Sequence, residues 1–335
     1  MVGSVHIVER FDLPDGYVAR PYRGREDHPA MAAILTAYHE HKGDPEMSTA
    51  AQFDSNYRHL EDCDPELDVF IVETDDGSPV AYGRKMVEEV TGGRDGMIFT
   101  PTLPEHISQE LFTAIVQGEE AHLLPELAGV PNAHFRAHAA HPGAGREPTG
   151  EAAWLEARGY DAREWGATLV RPHLDDIPER TLPEGVELRP VTEDQLRTIV
   201  AAHHECFRDE WGFAEITEAD YAWIIDDPYR DHTLWKVAWV GDEVVGQVKP
   251  FINHDENAER GYLRGYTEYI STHRDWRNRG IAGTLLAWSL QELRDRGMTE
   301  AVLGVDTNNP GGAFQLYQSL GFELYSTNAI YFRDV

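Results

Sequence analysis

Thr272-His273-Arg274-Asp275-Trp276-Arg277-Asn278-Arg279-Gly280-Ile281-Ala282-Gly283 is followed by the helical pattern Thr284 to Arg296 and a stopping Gly297. Before it, Gly265-Tyr-Thr-Glu-Tyr-Ile-Ser271 has the composition of a strand. A strand that runs through a glycine-bearing turn into a helix leaves unpaired backbone N–H groups aimed at whatever lies above the turn. Such a turn suits a phosphate. Gly280, Ala282 and Gly283 permit close backbone approach, and Arg274, Arg277 and Arg279 concentrate positive charge beside them. Read alone, the same residues also suit a solvated surface loop before an ordinary packed helix.

Downstream, Ala301 to Asp306 has a strand pattern, and Asn309 followed by Pro310 fits an N-cap and first turn. Tyr317 then falls two turns into a helix, facing either core or site, before Gly321 and Phe322. Together, Arg277-x-x-Gly280-x-Ala282 and the run Asn309 to Ala313 with Leu316-Tyr317-x-x-x-Gly321-Phe322 resemble the GNAT superfamily of acyl-CoA-dependent N-acyltransferases. Cys206 to Phe213, with Thr217 to Tyr221, resembles a stretch of tandem GNAT proteins related to mycothiol synthase.

The resemblance implies direct transfer of an acetyl or short acyl group from CoA to an amine. It places acetyl-CoA on Arg274, Arg277, Asn278, Arg279, Gly280, Ile281, Ala282, Gly283 and Asn309, with backbone amides around Ile270 to Thr272 holding the carbonyl oxygen. Tyr317 matches the family's general acid, and its ordinary pKa near 10 suits donation to a thiolate. For the base we take Glu268, although the family's strand glutamate more often occupies the position of Tyr266. Strand alternation predicts that Tyr266, Glu268, Ile270 and Thr272 share one face. Glu210 and Trp211, with Asp209 and Tyr266, are candidates for holding the acceptor amine.

The chain also repeats itself. Tyr17-Val-Ala-Arg20-Pro21 parallels Val186-Glu-Leu-Arg189-Pro190, Asp68 to Ala81 parallels Thr233 to Val245, and Ala153 to Tyr160 parallels Gln315 to Phe322. The offsets of 162 to 169 residues are one domain long. We expect an α/β protein of two tandem GNAT-like lobes, each a mixed, mostly antiparallel central sheet flanked by helices. The expected boundaries are 1–172, a Pro-rich linker 173–183, and a catalytic lobe 184–335. In the first lobe, Met97 to Phe112 has no glycine, two prolines and acidic residues where a phosphate loop belongs, and Trp154 or Leu155 replaces Tyr317. That lobe reads as degenerate, supporting the fold and walling the acceptor pocket.

Composition narrows the partners. The 335 residues carry 29 Lys+Arg against 59 Asp+Glu, a net charge of −30 with both halves acidic, which disfavours nucleic acid and anionic membranes. Two cysteines, no basic leader and no apolar run of about 18 residues fit a soluble cytoplasmic protein. His134, His138 and His141 have helix-like metal spacing, but no Cys clusters with them and Pro-Gly follows, so no metal is expected. The reading is an N-acetyltransferase acting on a small-molecule amine, as monomer or homodimer. A non-catalytic acyl-CoA sensor and a protein N-terminal or lysine acetyltransferase remain alternatives.

Overall fold

A computed structural model describes residues 5–44, 46–208, 213, 215–307 and 312–335. Contacts group the chain into two compact units, Met1–Gly166 with Ser326–Val335, and Ala167–Tyr325.

The first unit contains β1 (Tyr17–Pro21), α1 (His28–His41), α2 (Ala50–Asn56), the single turn α3 (Pro65–Asp68) and the hairpin β2 (Val69–Thr74) and β3 (Pro79–Arg84). These three strands form an antiparallel sheet. Then come β4 (Val87–Val90), β5 (Gly93–Ile98), α4 (Gln109–Leu127), β6 (Ala133–Ala140), α5 (Glu151–Ala157) and β7 (Asp161–Arg171). β5 pairs antiparallel with β4 and parallel with β6, and Asn328–Asp334 at the chain's end pairs antiparallel with β6. The contiguous apolar run Val69–Val72 is buried throughout because this strand is covered on both faces. Of the histidines whose spacing suggested a helix, His134 and His138 lie on strand β6 and His141 follows its last residue. There Ala133, Phe135, Ala137 and Ala139 alternate into the core, and this period of two prevails over the i, i+4 histidines.

The second unit contains β8 (Glu187–Arg189), α6 (Leu196–Glu205), α7 (Glu218–Asp226), the hairpin β9 (Lys236–Val240) and β10 (Glu243–Phe251), and α8 (His254–Arg260). It continues with β11 (Arg264–Thr272), α9 (Ile281–Asp295), β12 (Glu300–Asp306), α10 (Ala313–Ser319) and the start of β13 (Glu323–Asp334), which from Ser326 onward belongs to the first unit. The strand order is β12-β11-β10-β9-β8, antiparallel except for β11 against β12. Leu285, Leu286, Leu290 and Leu293 of α9 are fully buried against Val245, Val248 and Leu303. At about 1.5–3 kcal/mol per buried leucine, this apolar stripe fixes α9, and with it the loop at its N-terminus, against the sheet. The segment expected to be a linker packs here too: Leu174, Ile177 and Leu182 join the same core, and the Thr284 hydroxyl donates to Thr181 O at 3.1 Å. Mixed, mostly antiparallel sheets flanked by helices are the α/β class the sequence predicts.

Candidate active site

The local geometry of the site begins with a slip between two strands. Phe251 lies opposite Tyr266 and Lys249 opposite Glu268, but Gln247 lies opposite Ser271, so β11 carries one extra residue at Tyr269 and Ile270. Tyr269 has φ 51°, a left-handed conformation that a bulky residue adopts only where its surroundings impose it. This bulge reverses the alternation beyond it. Ser271 turns to α6, where its hydroxyl meets His203 Nδ1 at 3.1 Å. Ile270 instead packs on the core beneath α9. Thr272 sits opposite Gly246, where a Cβ would lie 2.6 Å from Ile281 of α9. The expected shared face therefore holds for Tyr266 and Glu268 but not for Ile270 and Thr272.

A second irregularity is the early end of a strand pairing. β11 and β12 pair only from Arg264–Tyr266 to Glu300–Val302. Past that point the contact between them is made by side chains: Thr267 Oγ1 donates to Val302 O at 3.4 Å, and Glu268 Oε1 accepts from Gly304 N–H at 3.2 Å. Tyr317 of α10 is buried in the core that holds the α9 leucines and Leu303, its ring edge-on to Phe322 at 6.3 Å. Burial raises the Tyr317 pKa, and the charge of nearby Glu268 raises it further, so the phenol stays protonated at neutral pH. The charge of Glu268, held where the strands part, is thus felt at Tyr317, far from it in sequence.

The loop before α9 has two left-handed residues, Asn278 at φ 61° and Gly280 at φ 80°. Asparagine tolerates this conformation, and at Gly280 only the absence of Cβ makes it free of strain. Gly280 caps α9 without any side-chain acceptor, which leaves the amides of Ile281, Ala282 and Gly283 to a ligand. A Cβ at Gly283 would lie 2.6 Å from Arg180 and 3.0 Å from Leu316. Arg277 ties the loop inward, donating to Cys206 O at 2.7 Å and Thr272 O at 3.3 Å. Arg274 pairs with Glu205 at 3.2 Å, and Arg279 is exposed, stacked on Trp276 at 4.6 Å. These uncapped amides with Arg279 and Arg180 nearby fit a pyrophosphate. Arg180 was not singled out in the sequence, because a Pro-rich segment gives no sign of where it packs.

Tyr266 is buried, stacked on Phe251 at 4.7 Å, and its hydroxyl donates to the Glu256 carboxylate at 2.8 and 2.9 Å. Glu210, Trp211, Asp209 and Asn309 lie outside the described residues. Lys249, not picked out beforehand, stands beside this site on β10, 2% exposed. A charge inside the apolar strand Val244–Phe251 was the available signal. Among the described residues, no group of three or more His, Cys, Asp or Glu is placed to hold a metal, and no helix is long and apolar enough to cross a membrane.

Residues 196–322 match the Acetyltransferase (GNAT) family model. That match lies within the second unit. Mycothiol acetyltransferase of Thermobifida fusca (strain YX) is 31% identical over 186 residues, covering 50% of this chain and 56% of that protein. The chain thus spans about half the length of the curated relatives it matches. A GCN5-related N-acetyltransferase structure from Sphaerobacter thermophilus aligns over 96% of both chains at 22% identity, TM-score 0.69. A tandem GNAT protein from the clavulanic acid biosynthesis pathway aligns over 95% of this chain and 98% of its own at 12% identity, TM-score 0.64. At these identities the structures establish a tandem GNAT fold over nearly the whole chain.

Proposed function

We propose that the second unit transfers an acetyl or other short acyl group from CoA to the primary amine of a small molecule, directly within a ternary complex, and that the first unit is a degenerate lobe without a CoA site. The observation that carries the reading is a buried Tyr317 that feels the charge of Glu268 beside the parted strands, with the uncapped N-terminus of α9 in the same unit. The likeness to a protein named mycothiol acetyltransferase supports a small-molecule acceptor over a protein one.

Acyl-CoA supplies an activated thioester carbonyl. The amides of Ile281 to Gly283, with Arg279 and Arg180, hold its phosphates, since a helix N-terminus and guanidinium groups both favour anions. A backbone N–H freed at the Tyr269 bulge binds the carbonyl oxygen as negative charge develops there. Glu268 takes the proton that the acceptor ammonium must lose, directly or through one water. Tyr317, held protonated by burial, gives its proton to the departing sulfur.

Tyr317→Phe tests this assignment. Removing a general acid should lower kcat by about 10²- to 10³-fold, while the KM for acetyl-CoA and the rise in Tm on adding CoA stay close to wild type. Unchanged turnover would remove Tyr317 from the acid role. Failure of every amine to release CoA, while CoA still raised Tm, would favour a non-catalytic acyl-CoA-binding protein.

A further inference from the structure

Lys249 has no use in the mechanism above. The chain has only four lysines, and three have acids: Lys42 meets Glu151 at 3.3 Å, Lys85 meets Asp68 at 3.0 Å and Lys236 meets Glu292 at 3.0 Å. Lys249 is more buried than any of these, and its Nζ has no hydrogen-bond partner among the described residues. Its neighbours are the faces of Trp235, 5.2 Å away, and Tyr269, 4.9 Å away. Cation–π contacts hold an ammonium weakly beside what a carboxylate would supply.

No carboxylate among the described residues lies within hydrogen-bonding reach of its Nζ. From α6 come His203 and His204, both with pKa values lowered first by burial, so both are neutral at neutral pH. From β11 come Tyr269 and, directly opposite in register, Glu268, whose carboxylate instead accepts from Gly304 N–H. Burial alone brings the Lys249 pKa down to about 7. A chain with 59 acidic residues has therefore left one buried amine without an anion, next to the bulge that orients the acyl group. Its neighbours on the site side, Tyr269 and His203, are only partly buried, so the amine lies one side chain deep.

We propose that Lys249 is the anion-reading residue of the acceptor pocket, and that the acceptor carries a carboxylate close to its reacting amine, as an amino acid does. This rests on the acyltransferase reading and deepens it. A carboxylate at Lys249 brings an amine one or two carbons away toward Glu268, because residues opposite one another in an antiparallel pair have Cβ atoms about 5 Å apart. The zwitterion also reconciles a buried lysine with an acidic surface: the surface attracts the ammonium and the lysine fixes the carboxylate.

The test compares amino acids with the corresponding amino-acid amides, which keep shape and amine but lose the charge. With acetyl-CoA, wild type should favour the acid by at least about tenfold in kcat/KM, since a site built for a charged group rejects its neutral analogue. In Lys249→Met the ratio should fall to about one, with an unaltered Tm shift on adding CoA confirming the fold. Lys249→Arg, always charged, should keep the preference. Calorimetry of amino acids with CoA at about pH 8, in buffers of different ionisation enthalpy, gives a readout independent of turnover. Wild type should take up close to one proton as Lys249 becomes charged, and both variants none. Equal use of acid and amide by wild type, a preference that survives in Lys249→Met, or no carboxylate-linked proton uptake would each overturn the proposal. Turnover of the amides alone would leave the acyltransferase reading standing and sink this one.

Discussion

α5 in the first unit and α10 in the second are each seven residues long and close in the same way. Gly159 at φ 86° and Gly321 at φ 83° are followed by Tyr160 and Phe322. The N–H groups of these aromatics return to Leu155 O and Tyr317 O, both at 3.1 Å. The fifth residue of each helix is the one bonded, and only in α10 does it carry a hydroxyl. The crossover helices differ likewise. α4 begins with Ser108, whose hydroxyl accepts from Leu111 N–H at 3.2 Å, whereas α9 begins with Gly280 and no side-chain cap. Within the first unit, Glu119 lies under the Phe99 N–H, and Glu151, the first residue of α5, holds the Tyr38 hydroxyl at 2.8 Å and Lys42 at 3.3 Å. Its second-unit counterpart is Ala313. One scaffold thus keeps its packing and turns while its own polar side chains satisfy groups that the other copy leaves open.

The largest test of that contrast is Gly280→Glu. The substitution places a carboxylate at the N-terminus of α9 and a side chain where φ is 80°. Calorimetry with CoA should give one site per chain in wild type and at least about 100-fold weaker binding in the variant, the carboxylate–phosphate repulsion adding to the strained backbone. Two equal sites in wild type would end the distinction between the units.

How much of this the sequence disclosed depends on the range of the signal. The Gly280 loop, the α9 pattern and the two Gly-aromatic closures are local, and each was legible because a turn or cap requires particular residues within a few positions. Tyr317 was singled out through a resemblance, whereas Glu268 was chosen from strand alternation, the resemblance pointing instead to the position of Tyr266. The bulge at Tyr269 was hidden, since Tyr-Thr-Glu-Tyr-Ile-Ser alternates no differently with or without an inserted residue; the slip is fixed by what β10 offers opposite. Lys249 and Arg180 were hidden for the same reason, their importance lying in neighbours contributed by other elements.

A smaller effect concerns Glu119, 1% exposed, whose pKa burial raises well above the usual carboxylate range, only partly offset by the Phe99 N–H. The native state then holds a proton that the unfolded chain has already released, so stability falls as pH rises from the unfolded pKa near 4.3 toward the folded value. Glu119→Gln keeps the hydrogen-bonding oxygen and removes this titration. Its Tm relative to wild type should therefore rise between about pH 4 and pH 8, with CoA binding unaltered. A Tm difference independent of pH would show that Glu119 is charged where it lies.

The smallest effect separates the cap from everything else that fills the first unit. Ser108→Ala should cost about 1 kcal/mol, the usual loss for an N-cap hydroxyl, and lower Tm by a few degrees. It bares the amide of Leu111 but leaves Pro101 and Pro104, which have no N–H to offer, and the buried carboxyl of Glu119. Calorimetry of the variant with CoA should still show a single site. A second, weaker isotherm would mean that one hydroxyl is what closes the first unit to phosphate, and that the prolines and Glu119 are bystanders to the difference between the two copies.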